Sequence, residues 1–371
     1  MFEFGVLFFS LLLLFNFVFF LFIYESNKLA HSGYNRNNLL LIGVALNLFT
    51  FIFYLNTLDY NYSDDYLQYI NWFKEVSVLS RFEDLQREKD VGFSFLLYLL
   101  SRVSVSPIIF TFLLSIFIIT FVLWISKFAK GESGKLEIVF VLLTIMLLNR
   151  MALEHYFNII RSFISTAILI FIIFKCLERK YLWLLLIPAV FFVHKMQFLL
   201  FFSALFFAKL LPLRLILLIL ITGFLNVYTG ISSKVIAAEL VKYVSVIAGF
   251  YSNAGITGEL VFSTSKKIQV GVYIIVPLSF LYHYAITGWK FAELIECRDE
   301  IILKYIFIVS SAYFLLVSVF PVADRFTVIL LPLLYVMFLK YVPWKIIWFY
   351  AIFIIAFNFV ALIRNSGYIG V

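Results

Sequence analysis

Long apolar runs and short polar breaks alternate along almost the whole chain, and the runs lack the period-two alternation of half-buried strands. Read as helices, they predict about twelve crossings, near residues 5–23, 39–58, 107–126, 136–150, 160–177, 181–194, 196–211, 214–229, 268–287, 301–319, 325–340 and 344–363. Two longer stretches interrupt the rhythm, at about 59–106 and 230–267. The fold class this predicts is all-α: a polytopic integral membrane protein of about twelve transmembrane helices, one domain over residues 1–371, with two longer outer loops.

Some runs are short, and the shortness carries information. Tyr181–Leu211 spans about 31 residues, too many for one upright helix and few for two. A hairpin turning at His194-Lys195-Met196-Gln197 would bend below the membrane surface. Such a bend is tolerated only where it is buried in protein or lines water. Length alone therefore predicts an aqueous recess at His194.

The first long loop places Tyr62, Tyr66, Tyr69 and Phe73 at spacings of three and four, one face of a helix. Further on, Ser94, Tyr98 and Ser101/Arg102 form a stripe opposite Phe95, Leu96, Leu99, Leu100 and Val103. An amphipathic stretch this short is expected to lie in the membrane interface rather than span it. The second long loop holds a semi-apolar run, Val235–Phe250, and a Gly/Ser-rich tip from Tyr251 to Ser265. No internal repeat is visible.

Composition excludes a soluble globule: 64% of residues are hydrophobic, 13% are charged, and the mean hydropathy is +1.04. Met1-Phe2-Glu3-Phe4 lacks the basic start of a cleavable signal, so Gly5–Ile23 is expected to be a retained first span. The formal charge of +8 is explained mostly by basic connectors and does not point to nucleic acid. Those connectors carry Lys28/Arg36, Lys127/Lys130/Lys135, Lys175/Arg179/Lys180, Lys209/Arg214, Lys290/Arg298/Lys304 and Lys340/Lys345. The positive-inside rule puts them in the cytoplasm, and with twelve spans both termini face outward. Cys176 and Cys297 offer neither a metal spacing nor a persuasive disulfide. P-loop, GxSxG and HExxH patterns are absent.

Against this apolar background, three ionisable residues fall at one expected depth. Arg161 lies 17 residues before Glu178, His194 lies 14 after Lys180, and Arg325 lies 15 before Lys340. At about 1.5 Å per residue each stands roughly 20–25 Å above its basic anchor. That is inside a hydrocarbon core of about 30 Å, near its far face. A charge there requires a partner or a wet cavity. Together they predict one polar chamber opening to the outer side.

Arg150, Arg161 and Arg325 run against the positive-inside tendency. A guanidinium fork suits phosphate oxygens and stays charged at any working pH. The plainer reading pairs Arg150 with Glu154 and Arg325 with Asp324. Arg161 has no in-phase acid within a helical turn, which makes it the strongest anion-binding candidate. His194 reads either as a hydrogen-bonded bend residue or as a general base. A neighbouring arginine would favour the neutral imidazole a base requires. Asp64-Asp65 and Asp90 are candidates for a base or, for the pair, a divalent-metal site, although a solvated acidic loop is the simpler reading. His31, His155 and His283 read as surface residues.

Four patches of the chain resemble the EpsG/Wzy type of polysaccharide polymerase. Asp65-Tyr66-Leu67-Gln68-Tyr69-Ile70-Asn71-Trp72-Phe73 is similar to the family's D-Y-x-x-Y-x-x-x-F after the second span. Asp90-Val91-Gly92-Phe93 followed by Leu96-Leu97 is similar to its acidic-x-G-F/Y helix entry. Arg161-Ser162-Phe163-Ile164-Ser165 stands where the family reads R-Q-x-x-A, and His194 where it reads H-x-S. Arg325 matches a late outer arginine. Ser162, Ser165 and Met196 depart from the usual Gln, Ala and Ser.

The resemblance implies a GT-C-like bacterial inner-membrane glycosyltransferase with its active site facing the periplasm or outside. Its substrates would be oligosaccharide repeat units linked to undecaprenyl diphosphate, and it would need no cofactor and no metal. Arg161 and Arg325, with Arg150, would hold the diphosphate. His194 first, and Asp90 or Asp65 second, would take the acceptor proton. Tyr66, Tyr69 and Trp72 would stack on sugar rings. Membrane lipid is an implied partner, there is room for a chain-length regulator protein, and nucleic acid is not a partner. A flippase for the same lipid-linked sugars is the rival from another class, and it should show pseudo-repeated halves with charges reaching both faces. A glycan ligase shares the leaving group and differs in the acceptor. A membrane acyltransferase would draw on a cytoplasmic acyl source.

Overall fold

The computed structural model describes residues 36–57, 64–80, 91–129, 135–147, 160–229, 297–316 and 324–353, with positions 12, 14–16, 18–19, 21, 23, 156 and 356. Among the described residues all regular structure is helical. The helices are α1 (Arg36–Thr57), α2 (Asp64–Ser77), α3 (Val91–Val103), α4 (Pro107–Ile125), α5 (Lys135–Leu147) and α6 (Ile160–Leu177). A 3-10 turn, Tyr181–Leu186, leads into α7 (Ile187–Val193), followed by α8 (Lys195–Leu210), α9 (Leu213–Thr229), α10 (Cys297–Leu316) and α11 (Asp324–Tyr341). A last helix, α12, covers Trp344–Phe353. The expected runs from 39–58 to 214–229, and those at 301–319, 325–340 and 344–363, each coincide wholly or in part with helix. The run 268–287, the tip of the second long loop and its semi-apolar stretch lie outside the described residues.

Proline punctuates the tight connections. Pro107 opens α4, Pro212 precedes α9 and Pro343 precedes α12, each supplying a helical φ where no N–H is needed. The carbonyls of Pro212 and Pro343 then accept the first helical bonds, from Leu215 at 3.0 Å and from Ile346 at 2.9 Å.

The chain folds as two compact units, Met1–Phe163 with Tyr335–Val371, and Ile164–Leu334. In the first unit α1 packs on α5. Gly43 lets the backbones approach, since a Cβ there would lie 2.6 Å from the Phe140 ring. One turn on, Asn47 Nδ2 donates to Thr144 Oγ1 at 2.8 Å, and Asn16 Nδ2 donates to Thr50 Oγ1 at 2.7 Å. Small residues and interhelical amide bonds of this kind hold helices together where lipid removes the hydrophobic drive between them. Buried Glu137 accepts from Trp344 Nε1, tying α5 to α12.

The second unit contains the 3-10 turn, α7 to α10, and parts of α6 and α11. Both α8 and α9 pack on α10. The end of α6 is closed by the N–H of Lys180 bonding the Lys175 carbonyl and the N–H of Arg179 bonding that of Cys176, both at 2.9 Å. This Schellman arrangement puts Arg179 in the left-handed region, at φ 62°. Lys175 and Lys180 each hold Glu178 at 3.0 Å, and these bonds lower its carboxyl pKa. Because a left-handed L-residue costs about 1–2 kcal/mol, Arg179→Gly should raise thermal stability by about 1 kcal/mol, read by thermal unfolding in detergent.

Large apolar side chains face outward as well as inward, while some hydroxyls are buried. On α3, Ser94 and Ser101 are buried while Phe95, Leu99 and Val103 are exposed. On α4, Ser115 is buried while Ile108, Phe112 and Ile116 face out. The expected stripe on α3 is present in part: Ser94 and Ser101 turn inward together with Phe93 and Leu97, Phe95, Leu99 and Val103 turn outward, and Arg102 is exposed. Helices α4, extended by a 3-10 turn to Phe128, and α6 are long and apolar enough to cross a membrane.

Candidate functional site

The site is built on α2 and the start of α6. Along α2 the inward positions are Tyr66, Tyr69, Ile70, Phe73 and Val76, the three-and-four spacing of one helical face. Phe73 stacks on Phe110 of α4 at 5.5 Å between ring centroids, which fixes the rotation of α2. Tyr66 is buried and its hydroxyl bonds Thr111 Oγ1, a second tie to α4. Phe93 of α3 then meets the edges of Tyr69 and Trp72 at 5.6 and 5.3 Å. Both rings are set by packing before any charge arrives.

The charge is Arg161, at the first turn of α6. Its guanidinium carbon lies 5.4 Å from the Trp72 ring centre and 5.7 Å from that of Tyr69. Its Nε–H donates to the Tyr69 hydroxyl at 3.4 Å. Arg161 is half-buried. A guanidinium against two ring faces gains cation–π attraction, about 0.5–1 kcal/mol when exposed and about 2 when desolvated.

Polar groups without partners occur in the same unit. Trp72 Nε1, Tyr156 Oη and Ser162 Oγ are buried and make no hydrogen bond among the described residues. Tyr156 packs on Phe163, one turn along α6, at 4.7 Å between ring centroids. Buried donors left unpaired by protein are normally satisfied by water or by a bound molecule.

His194 sits where the chain breaks between α7 and α8, as its sequence position predicts. Its backbone is extended (φ −159°, ψ 99°), its N–H closes α7 on the Val190 carbonyl at 2.9 Å, and it is 7% exposed. It belongs to the second compact unit and Arg161 to the first. Of the other candidates, Asp65 lies in the first turn of α2 and Arg325 in the first turn of α11, with side chains outside the described residues. Asp90, immediately before α3, and Arg150 lie outside the described residues altogether.

The structure thus joins Tyr69, Trp72 and Arg161, to which the sequence alone assigns separate tasks. The sequence shows that Tyr69 and Trp72, three residues apart, share a face of α2, but not that Arg161 meets it. Tyr69 is 6% exposed, its ring packed against the arginine and Phe93.

Helices that bury serine, threonine and asparagine while turning phenylalanine and leucine outward define a helical membrane protein. The chain matches the EpsG family over residues 42–370, nearly its whole length, and it belongs to that family. EpsG proteins are a Wzy-like family of polysaccharide polymerases. Comparison with curated proteins and with solved structures gives no match.

Proposed function

We propose that this protein joins lipid-linked oligosaccharide repeat units into polysaccharide on the outer face of the inner membrane, with undecaprenyl diphosphate as leaving group. The observation that carries this reading is the Arg161 guanidinium held against Tyr69 and Trp72 in a chain of a polysaccharide polymerase family. In the reaction, an acceptor hydroxyl oxygen forms a bond to the anomeric carbon of the donor glycan. The bond from that carbon to the diphosphate oxygen breaks, and the acceptor proton passes to a base. The leaving group carries its own negative charge, so it needs electrostatic stabilisation more than protonation. Arg161 supplies that charge, with Arg325 and Arg150 as further donors. His194 takes the proton, with Asp90 or Asp65 as the alternative base. Trp72 Nε1, buried and without a hydrogen-bond partner among the described residues, is a donor for a ligand oxygen beside the guanidinium.

The test is glycan chain length in cells deleted for the gene and complemented with wild type or with Arg161→Ala. The proposal expects lipid-linked single repeats that become a ladder only with wild type. Absence of repeat units from the outer side would identify a flippase instead. Full-length chains that fail to reach their final acceptor would identify a ligase.

A further inference from the structure

A second feature, unrelated to Arg161, lies in the compact unit Ile164–Leu334. An almost wholly apolar cavity of about 300 Å³ opens between α6, α7, α8 and α10. It is placed at the ends of these helices that carry the basic residues, with Cys176 and Leu177 in its wall. Its mouth is open to the surroundings, because lining residues Leu184 and Phe202 are 42% and 37% exposed. One charged side chain lines it, that of Lys209 at the end of α8.

The lysines of this end differ in one respect. Lys175 and Lys180 are held by Glu178, and Lys304 by Glu300 at 2.7 Å. Lys209 is exposed, and among the described residues no carboxylate pairs with it. An apolar cavity with a single unneutralised ammonium at its edge is complementary to an anion with a hydrocarbon tail. We propose that this cavity takes one acyl chain of an anionic membrane phospholipid, whose headgroup phosphate rests on Lys209.

Size supports that occupant. A methylene takes about the volume of a liquid water, roughly 30 Å³, so the cavity holds about ten carbons of a chain. That matches the inner part of one acyl tail, with the rest of the lipid outside the open mouth. The leaflet is set by the basic connectors on either side, the end where anionic headgroups are attracted.

The experiment uses the full-length protein, purified in mild detergent and delipidated, with bound lipid read by native mass spectrometry. Phosphatidylglycerol and phosphatidylcholine are added separately. The proposal expects one tightly held phosphatidylglycerol, and Lys209→Gln should lower its occupancy about fivefold, the weight of one lysine at an anionic surface. Phosphatidylcholine should bind the wild type as weakly as phosphatidylglycerol binds Lys209→Gln. Leu205→Trp, which fills the cavity, should remove both. Because Lys209 is exposed, its variant tests the proposal even where Leu205→Trp fails to fold. Equal occupancy by the two lipids, or no change in Lys209→Gln, would overturn it. So would displacement of phosphatidylglycerol by undecaprenyl monophosphate, which would make the cavity a carrier-lipid site. Lipid occupancy is measured without glycan synthesis, so loss of the polymerase reading leaves this result standing.

Discussion

Arg161→Ala should reduce glycan polymerisation by a hundredfold or more, and Arg161→Lys should recover only a small part of it. Removing one preorganised donor aimed at developing charge costs roughly 2.7–4 kcal/mol, or about 10²–10³ in rate. Lysine keeps the charge and loses what the seat is shaped for. A flat guanidinium lies against the Tyr69 and Trp72 rings and still presents a planar fork to oxygen, which an ammonium on a flexible stem cannot do. The seat can be dissected. Tyr69→Phe keeps the ring and gives up a 3.4 Å hydrogen bond, so it should cost at most about 1 kcal/mol, or fivefold. Tyr69→Leu and Trp72→Leu also remove a cation–π face and should cost up to about 2 kcal/mol further each. The measurement is ladder formation in complemented cells at matched protein levels. The order wild type, Tyr69→Phe, Trp72→Leu, Arg161→Ala would support the seat. Activity in Arg161→Ala equal to wild type would remove Arg161 from the reaction.

Much of this site is legible in the amino-acid order alone. The spacing of Tyr66, Tyr69 and Phe73 identifies the buried face of α2, and the length of Tyr181–Leu211 places a break at His194, where the backbone turns. Both follow from local periodicity and from the thickness of a bilayer. The pairing of Arg161 with α2 is different in kind. Tyr69 and Arg161 stand 92 residues apart, and no local rule brings them together. What aligns them is the packing of α2 against α3 and α4 through Phe93 and Phe110, two rings whose partners no spacing reveals in a chain with 47 phenylalanines. The same holds for Glu137. By sequence it is one more charge after a basic connector, and only packing shows it buried against Trp344. On α3 the stripe is legible and its direction is not. Which face turns inward depends on whether the surroundings are water or lipid.

The seam between α1 and α5 gives the largest expected effect on stability. Gly43→Val should destabilise the protein by about 1–3 kcal/mol, the usual cost of forcing extra carbon into a packed interior. The reason is geometric. Even the first added carbon would stand 2.6 Å from Cε2 of Phe140 and 2.9 Å from its Cδ2. Phe140 cannot swing away freely, because it is 2% exposed and its ring is 6.4 Å between centroids from that of buried Trp348 on α12. The helices must therefore separate, and separation also strains the Asn47–Thr144 bond one turn along. Losing a buried side-chain bond adds roughly 1–3 kcal/mol where a partner is left unpaired. A second substitution distinguishes this cause from a general intolerance of α1. Phe140→Ala alone should destabilise by leaving a cavity, and in the presence of Gly43→Val it should restore part of the loss, since the valine fills vacated space. Thermal unfolding of the four proteins in one detergent gives the coupling between the two sites. Contact between them predicts a double variant more stable than the sum of the single losses. Strict additivity would show that Gly43 and Phe140 do not meet, and that the seam is held elsewhere.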